Sequence, residues 1–203
     1  MNSTLLHAKI IIMNKLAKII SLIFYPAITG AILVYILFFQ IIGFSFKSLF
    51  LATIYAGLIT LAPFLILRFL VKSGRVSDKD ITFKEERSIF FKTALPSYIA
   101  GFVFLLSIQP PKTLFLMGSG VMIFIVVYYL ISPFYKISVH VGGLVFDIIA
   151  LGLVINQSFY FLLPLSLLLA WSRYHLKKHT LTQSFWGAMV GGGIPLILAK
   201  LFL

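Results

Sequence analysis

Two short polar stretches in an otherwise apolar chain carry residue types that handle phosphate. Ser172-Arg173-Tyr174-His175-Leu176-Lys177-Lys178-His179 sets a hydroxyl, a guanidinium and two imidazoles between two long apolar segments. Upstream, Lys136-Ile137-Ser138-Val139-His140 adds an ammonium, a hydroxyl and another imidazole. The chain has only 4 histidines, and the first stretch holds two of them. Arginine presents a planar fork of donors that matches phosphate oxygens. A third cluster, Lys84-Glu85-Glu86-Arg87, lies in the longest polar segment. Residues of this kind, set where an apolar protein meets water, suggest a phosphate-handling site on a membrane protein.

The rest of the chain must position those clusters, and its composition says in what solvent. Hydrophobic residues are 61% and charged residues 11% of the 203, with a mean hydropathy of +1.08. A soluble domain carries about 25% charged residues, so the bilayer is the expected solvent. The expected fold is all-α: a polytopic transmembrane helix bundle, one domain over residues 1–203, with roughly six or seven spans of about 20 residues. Apolar runs cover about Ile19 to Phe44, Leu49 to Val71, Thr93 to Ile108, Thr113 to Phe134, Ser138 to Ile155, Phe159 to Trp171 and Phe185 to Leu203. The third and sixth are short. Pro26 falls inside the first run, and Pro63 in the second is a candidate kink. Gln109-Pro110-Pro111-Lys112 forbids continued helix, and Asn156-Gln157-Ser158 breaks the fifth run from the sixth. Residues 72–92 read as a polar loop. The first 12 residues lack the pattern of a secretory signal. With no cysteine, disulfides and thiolate chemistry are excluded.

Seven spans put the N-terminal segment, residues 72–92, Lys136 and residues 172–182 on one face. Only Lys47, Lys112 and Lys200 of the 17 basic residues then fall on the other. The positive-inside rule makes the basic face cytoplasmic, and the orientation survives removal of Lys84, Arg87, Lys136 and Arg173 from the count. The net charge of +12 points to anionic headgroups, topology and an anionic ligand, with no nucleic acid partner expected. All three polar clusters share that face.

The S-R-x5-H of Ser172 to His179 and the S-x-H of Ser138-Val139-His140 resemble the type 2 phosphatidic acid phosphatase superfamily of integral membrane lipid phosphatases, as a divergent branch. The resemblance covers about Lys84 to Gln183. The superfamily shows K-x6-R-P, P-S-G-H and S-R-x5-H-x3-D. Here Ile137-Ser138-Val139-His140 stands for the second motif, Lys84 to Arg87 has a shorter spacing and no proline, and Gln183 takes the acidic position of the third. The resemblance implies that His179 attacks phosphorus and becomes a phosphohistidine, and that His140 protonates the leaving group. It implies Arg87, Arg173 and Lys84 as holders of the equatorial phosphate oxygens, with Ser138, Ser172 and the amides opening the fifth span as further donors. Neither metal nor cofactor is implied. The expected reaction is hydrolysis of a phosphate monoester or diphosphate on an acyl or polyprenyl lipid drawn from the bilayer, in a membrane such as the bacterial inner membrane. The substrate's identity and the oligomeric state stay open. The competing reading is a non-catalytic membrane protein, a transporter or an inactive phosphatase-like member. A transporter would gather polar residues near mid-membrane, whereas here they gather at one surface.

Gln183 can accept from His179 one helical turn away but brings no charge. Asp147, the only acidic residue inside a span, lies two turns below His140 on the same helix face, and an intramembrane carboxylate is a functional candidate. It is expected to act electrostatically through His140 or a basic neighbour. Asp78 and Asp80 read as solvated loop residues, Lys177 and Lys178 as topology determinants, and His175 as a surface residue. Gly191-Gly192-Gly193, in apolar sequence, reads as a close helix contact.

Overall fold

Proline decides where the first apolar run bends. It lacks an N–H and pushes the residue before it into extended backbone. Tyr25, before Pro26, has φ −69° and ψ 131°. In the computed structural model, which describes residues 3–202 with side-chain surroundings from residue 9 onward, the single span expected from Ile19 to Phe44 is therefore two helices. These are α1 (Ser3–Ile23) and α2 (Pro26–Ile42), meeting at Tyr25. Ser45 and Ser48 cap each other reciprocally and open α3 (Phe46–Ala56). Pro63 does not break the next run. The chain takes a π-helical turn over Gly57–Leu61 and continues as α4 (Ala62–Lys72), because the Ala62 amide reaches back to the Gly57 carbonyl.

Residues 72–92 are not all loop. Helix α5 (Lys84–Ser107) begins ahead of the expected Thr93 and is not short. Glu85 and Glu86 lie in its first turn, where carboxylates oppose the positive end of the helix dipole. Arg87, Phe91, Ala94, Tyr98 and Leu105 form one buried face. That helical spacing folds the charged residues into the helix and leaves only residues 73–83 as linker. After Pro110-Pro111 the chain forms α6 (Lys112–Ile131), α7 (Val139–Val154), a 3-10 segment (Gln157–Leu162), α8 (Pro164–His175) and α9 (Leu181–Phe202). The sixth run thus starts as 3-10 turns, and its helix passes Trp171 to include Ser172 and Arg173.

The protein is an all-α membrane bundle. Lys9–Ile42, Phe46–Lys72, Lys84–Ser107, Lys112–Ile131 and Leu181–Phe202 are long and apolar enough to cross a bilayer, and Val139–Val154 is a shorter apolar helix. Helix α7 is its axis, buried almost continuously from His140 to Gly152. Glycine brings α9 against it. A Cβ on Gly191 would lie 2.0 Å from the Gly142 carbonyl oxygen, and one on Gly187 would lie 2.5 Å from that of Ser138. Tyr128 of α6 donates its hydroxyl to the Gly187 carbonyl at 3.0 Å. Close contact thus holds at Gly191, while Gly193 faces open space. At one end of the bundle the linkers are tied together: Lys136 Nζ donates to the Lys178 carbonyl at 2.8 Å, and the Ser138 amide donates to the Gln183 carbonyl at 3.1 Å.

Candidate active site

His179 sits in the turn between α8 and α9, entered through a left-handed Lys177 at φ 56°. Thr180 and Gln183 open α9 as a reciprocal pair. The Thr180 amide donates to Gln183 Oε1 at 3.1 Å, and the Gln183 amide donates to Thr180 Oγ1 at 3.2 Å. The same Gln183 Oε1 lies 3.2 Å from His179 Nδ1. An amide oxygen only accepts, so Nδ1 carries the proton and Nε2 keeps a lone pair. That Nε2 lies 3.4 Å from Arg87 Nη2, which donates. His179 is 6% exposed. Burial first, then the charges of Arg87, Arg173 and Lys136, push its pKa down to about 2 against the pull of the Gln183 bond. The ring is therefore neutral, with its unprotonated nitrogen accepting from a guanidinium.

Arg87 is held from the opposite side, where Nη1 donates to the Ile137 carbonyl at 2.7 Å. That carbonyl precedes Ser138, whose side chain accepts from the Val141 amide and caps α7. The cap starts the helix where His140 is presented from the first turn. His140 packs edge-on against Tyr25, with ring centres 5.3 Å apart. Among the described residues, its Nε2 and the Nε of Arg87 are buried without a hydrogen-bond partner. Such groups are uncommon in folded proteins and mark places where a ligand contact is affordable.

Arg87, His140 and His179 line one cavity of about 130 Å³, together with Tyr25, Lys79 and Asp80. Its other walls are apolar and include Ile59, Phe64, Leu67, Phe90 and Phe91. Tyr25, Thr60, Phe64, Leu67 and Lys79 also line a larger groove of about 1050 Å³, which has Leu22, Ile28, Leu61 and Phe69 on its walls and Arg68 and Lys72 among its cations. The cavity that holds Arg87, His140 and His179 thus shares a wall with a larger, mostly apolar groove.

Arg173, 1% exposed, reaches the chamber through a neighbour. Its Nη1 donates to Ser21 Oγ at 2.8 Å and pairs with Asp80 Oδ1 at 2.8 Å, while among the described residues Nε and Nη2 are buried and unpartnered. Asp80 faces the chamber; Arg173 stands behind it. The loop reading of Asp78 and Asp80 as solvated is corrected here. Asp80 is 13% exposed and ion-paired, and Lys178, expected mainly to set topology, lies 3.2 Å from Asp78 and 3.5 Å from Asp80. Burial with the nearby charges of Arg87, Lys178 and Arg173 lowers the pKa of Lys136.

Other expected site residues are placed elsewhere. Ser172 donates to the Ala17 carbonyl at 2.7 Å, so its hydroxyl fastens α8 to α1. Ser138 acts as a cap. Lys84 is exposed at the start of α5, and Asp147 is buried two turns into α7. None of these four lines the chamber, and among the described residues Asp147 forms no ion pair with His140's basic neighbours. His175 stacks on Trp171 and bonds Asn14, away from the cavity. Tyr25, Lys79 and Asp80 were missed. The Tyr25-Pro26 dipeptide marks a forced turn at the basic end, and two carboxylates amid so many cations needed partners. No protein-family model, no curated protein and no solved structure matches this chain.

Proposed function

We propose that the protein is a lipid phosphatase that hydrolyses a phosphate monoester or diphosphate through a phosphohistidine at His179. The observation that carries this reading is the polarised His179 ring: Nδ1 is fixed on Gln183 at 3.2 Å and Nε2 faces Arg87 at 3.4 Å, in a chamber that also holds His140. The Nε2 lone pair would attack phosphorus while the bond to the leaving oxygen breaks, and His140, having taken up a proton when the anion binds, would hand that oxygen the proton. Water would then attack the phosphorus, His140 would take its proton, and the P–N bond would break. Arg87 stabilises charge on the phosphoryl oxygens, with Arg173 behind Asp80. The shared apolar groove supports a substrate with a hydrocarbon tail, and its cations suit an anionic head. On the positive-inside argument the chamber faces the cytoplasm, in a membrane such as the bacterial inner membrane.

The test is inorganic phosphate release from acyl and polyprenyl mono- and diphosphates by purified wild type and His179→Ala. Release by the wild type, absent in the variant and accompanied by an acid-labile phosphoprotein, is the expected result. Equal release by both proteins overturns His179 as the nucleophile. A wild type that binds phosphate without turnover favours an inactive phosphatase-like protein.

A further inference from the structure

Cations converge on this chamber from three linkers and two helices, at the surface of a bilayer. Bulk membrane phospholipids are phosphodiesters with one negative charge per phosphate, whereas a phosphomonoester carries about 1.5 to 2 at pH 7. A nest of bare cations there would bind any headgroup. The chamber is not bare. Asp80 lines it beside Arg87 and His179, and its carboxylate bridges Arg173 at 2.8 Å and Lys178 at 3.5 Å. The carboxylate that spans these two cations thus lies between them and the cavity.

The backbone around it is shaped to hold it there. The linker is pinned by Val76 and Ile81, both buried with Leu67 and Leu70. The Asp80 amide donates to Asp78 Oδ1 at 2.7 Å. Ile81, the next residue, sits at φ 48°, a left-handed conformation that a β-branched residue adopts only under strain. Strain of this kind collects at ligand clamps and switch regions. Among the described residues Arg173 has no partner for its buried Nε and Nη2, so it has donors in reserve for an anion stronger than a carboxylate.

We propose that Asp80 sets the binding threshold of this site, an internal monoanion on Arg173 that a phosphodiester is too weak to displace and a dianionic phosphate terminus displaces. The inference rests on the chamber being a phosphate site. A monoanion replacing Asp80 exchanges like for like and must also be desolvated. A dianion gains a second charge against Arg87, Arg173 and Lys178. Occupancy of the clamp by Asp80 lowers every apparent affinity by the same factor, the fraction of molecules left open, so Asp80 sets a threshold that the weaker monoanion falls below and the dianion clears.

The experiment is calorimetric binding of inorganic phosphate and of dimethyl phosphate, a minimal phosphodiester, to the full chain in nanodiscs of zwitterionic lipid. Wild type is compared with Asp80→Asn, Asp80→Glu and Asp78→Asn, each checked for helicity and thermal unfolding. Asp80→Asn keeps shape and removes charge. If the closed clamp holds about nine molecules in ten, phosphate affinity rises about tenfold in Asp80→Asn and dimethyl phosphate binding, raised by the same factor, becomes measurable. Asp80→Glu, which keeps the charge, binds both as the wild type does, as does Asp78→Asn. Unchanged affinities in Asp80→Asn overturn the proposal. Equal gains in both Asp80 variants also overturn it, since that assigns the effect to geometry and not charge. Should neither wild type nor Asp80→Asn bind phosphate, the phosphate-site reading itself falls, a result distinct from phosphate binding that Asp80→Asn leaves unchanged.

Discussion

Replacing Gln183 by Glu tests whether the bond to His179 Nδ1 matters to the chemistry. The two side chains have the same shape, so the oxygen at 3.2 Å from Nδ1 and 3.1 Å from the Thr180 amide stays in place. What changes is charge. A neutral hydrogen bond contributes about 0.5–1.5 kcal/mol and one to a charged group about 1.5–3. Phosphorylation at Nε2 makes the ring cationic, so the carboxylate stabilises the intermediate more than the resting ring, by roughly 1 kcal/mol. That is about a five- to tenfold faster formation of phosphohistidine. The pKa of His179 should also move up from about 2 toward its ordinary 6.5. Rapid-quench trapping of labelled phosphoprotein reads the first quantity, and histidine-ring nuclear magnetic resonance reads the second. If the ring titration moves up while phosphohistidine formation stays unchanged or slows, the Nδ1 contact does not limit the reaction and the roles given to Gln183 and His179 fail.

Gly191→Ala places a Cβ 2.0 Å from the Gly142 carbonyl oxygen, where ordinary contact begins at 3.4 Å, so the backbones of α7 and α9 must part by about 1.4 Å. Overpacking of this kind costs about 1–3 kcal/mol or more, so thermal unfolding should shift down clearly, while Gly193→Ala, in open space, should leave it within about 0.5 kcal/mol. The two variants unfolding alike would refute the packing. Acidification should destabilise the protein through His179. The unfolded chain takes up the proton near 6.5 and the folded ring only near 2, so stability present above about pH 6.5 is lost progressively as pH falls toward 2. In His179→Gln that part of the loss disappears, which thermal unfolding between pH 7.5 and 5 can measure; parallel profiles would contradict the buried neutral ring.

Hydropathy made the bundle legible because a helix in hydrocarbon must be apolar throughout. Its ends were less legible. Lys84 to Lys92 looked like loop because charge was averaged along the chain, whereas Arg87 and Phe91 share a buried helix face with Ala94 and Tyr98. His140, His179, Arg87 and Gln183 were picked out by the resemblance of their motifs, and the structure brings them together: His179 lies beside Arg87 and Gln183, and His140 lines the same cavity. Asp80, Tyr25 and Ser21 were not, since each reaches the site through a contact across the chain: Ser21 and Arg173 are 152 residues apart. Ser172 and Ser138 misled in the other direction. Their hydroxyls looked like phosphate donors, and the structure uses one to fasten two helices and the other to cap one.

The hydrogen bond from the Ser138 amide to the Gln183 carbonyl bears on how the protein is made. Synthesis runs from the N-terminus and folding follows it, so α6 and α7 are in the membrane before α9 exists. Until α9 arrives, Ser138 lacks that carbonyl, the Tyr128 hydroxyl lacks Gly187 and His179 lacks Gln183. A nascent chain therefore carries its basic linkers before the His179 ring is oriented, and docking of the glycine-faced α9 supplies all three contacts.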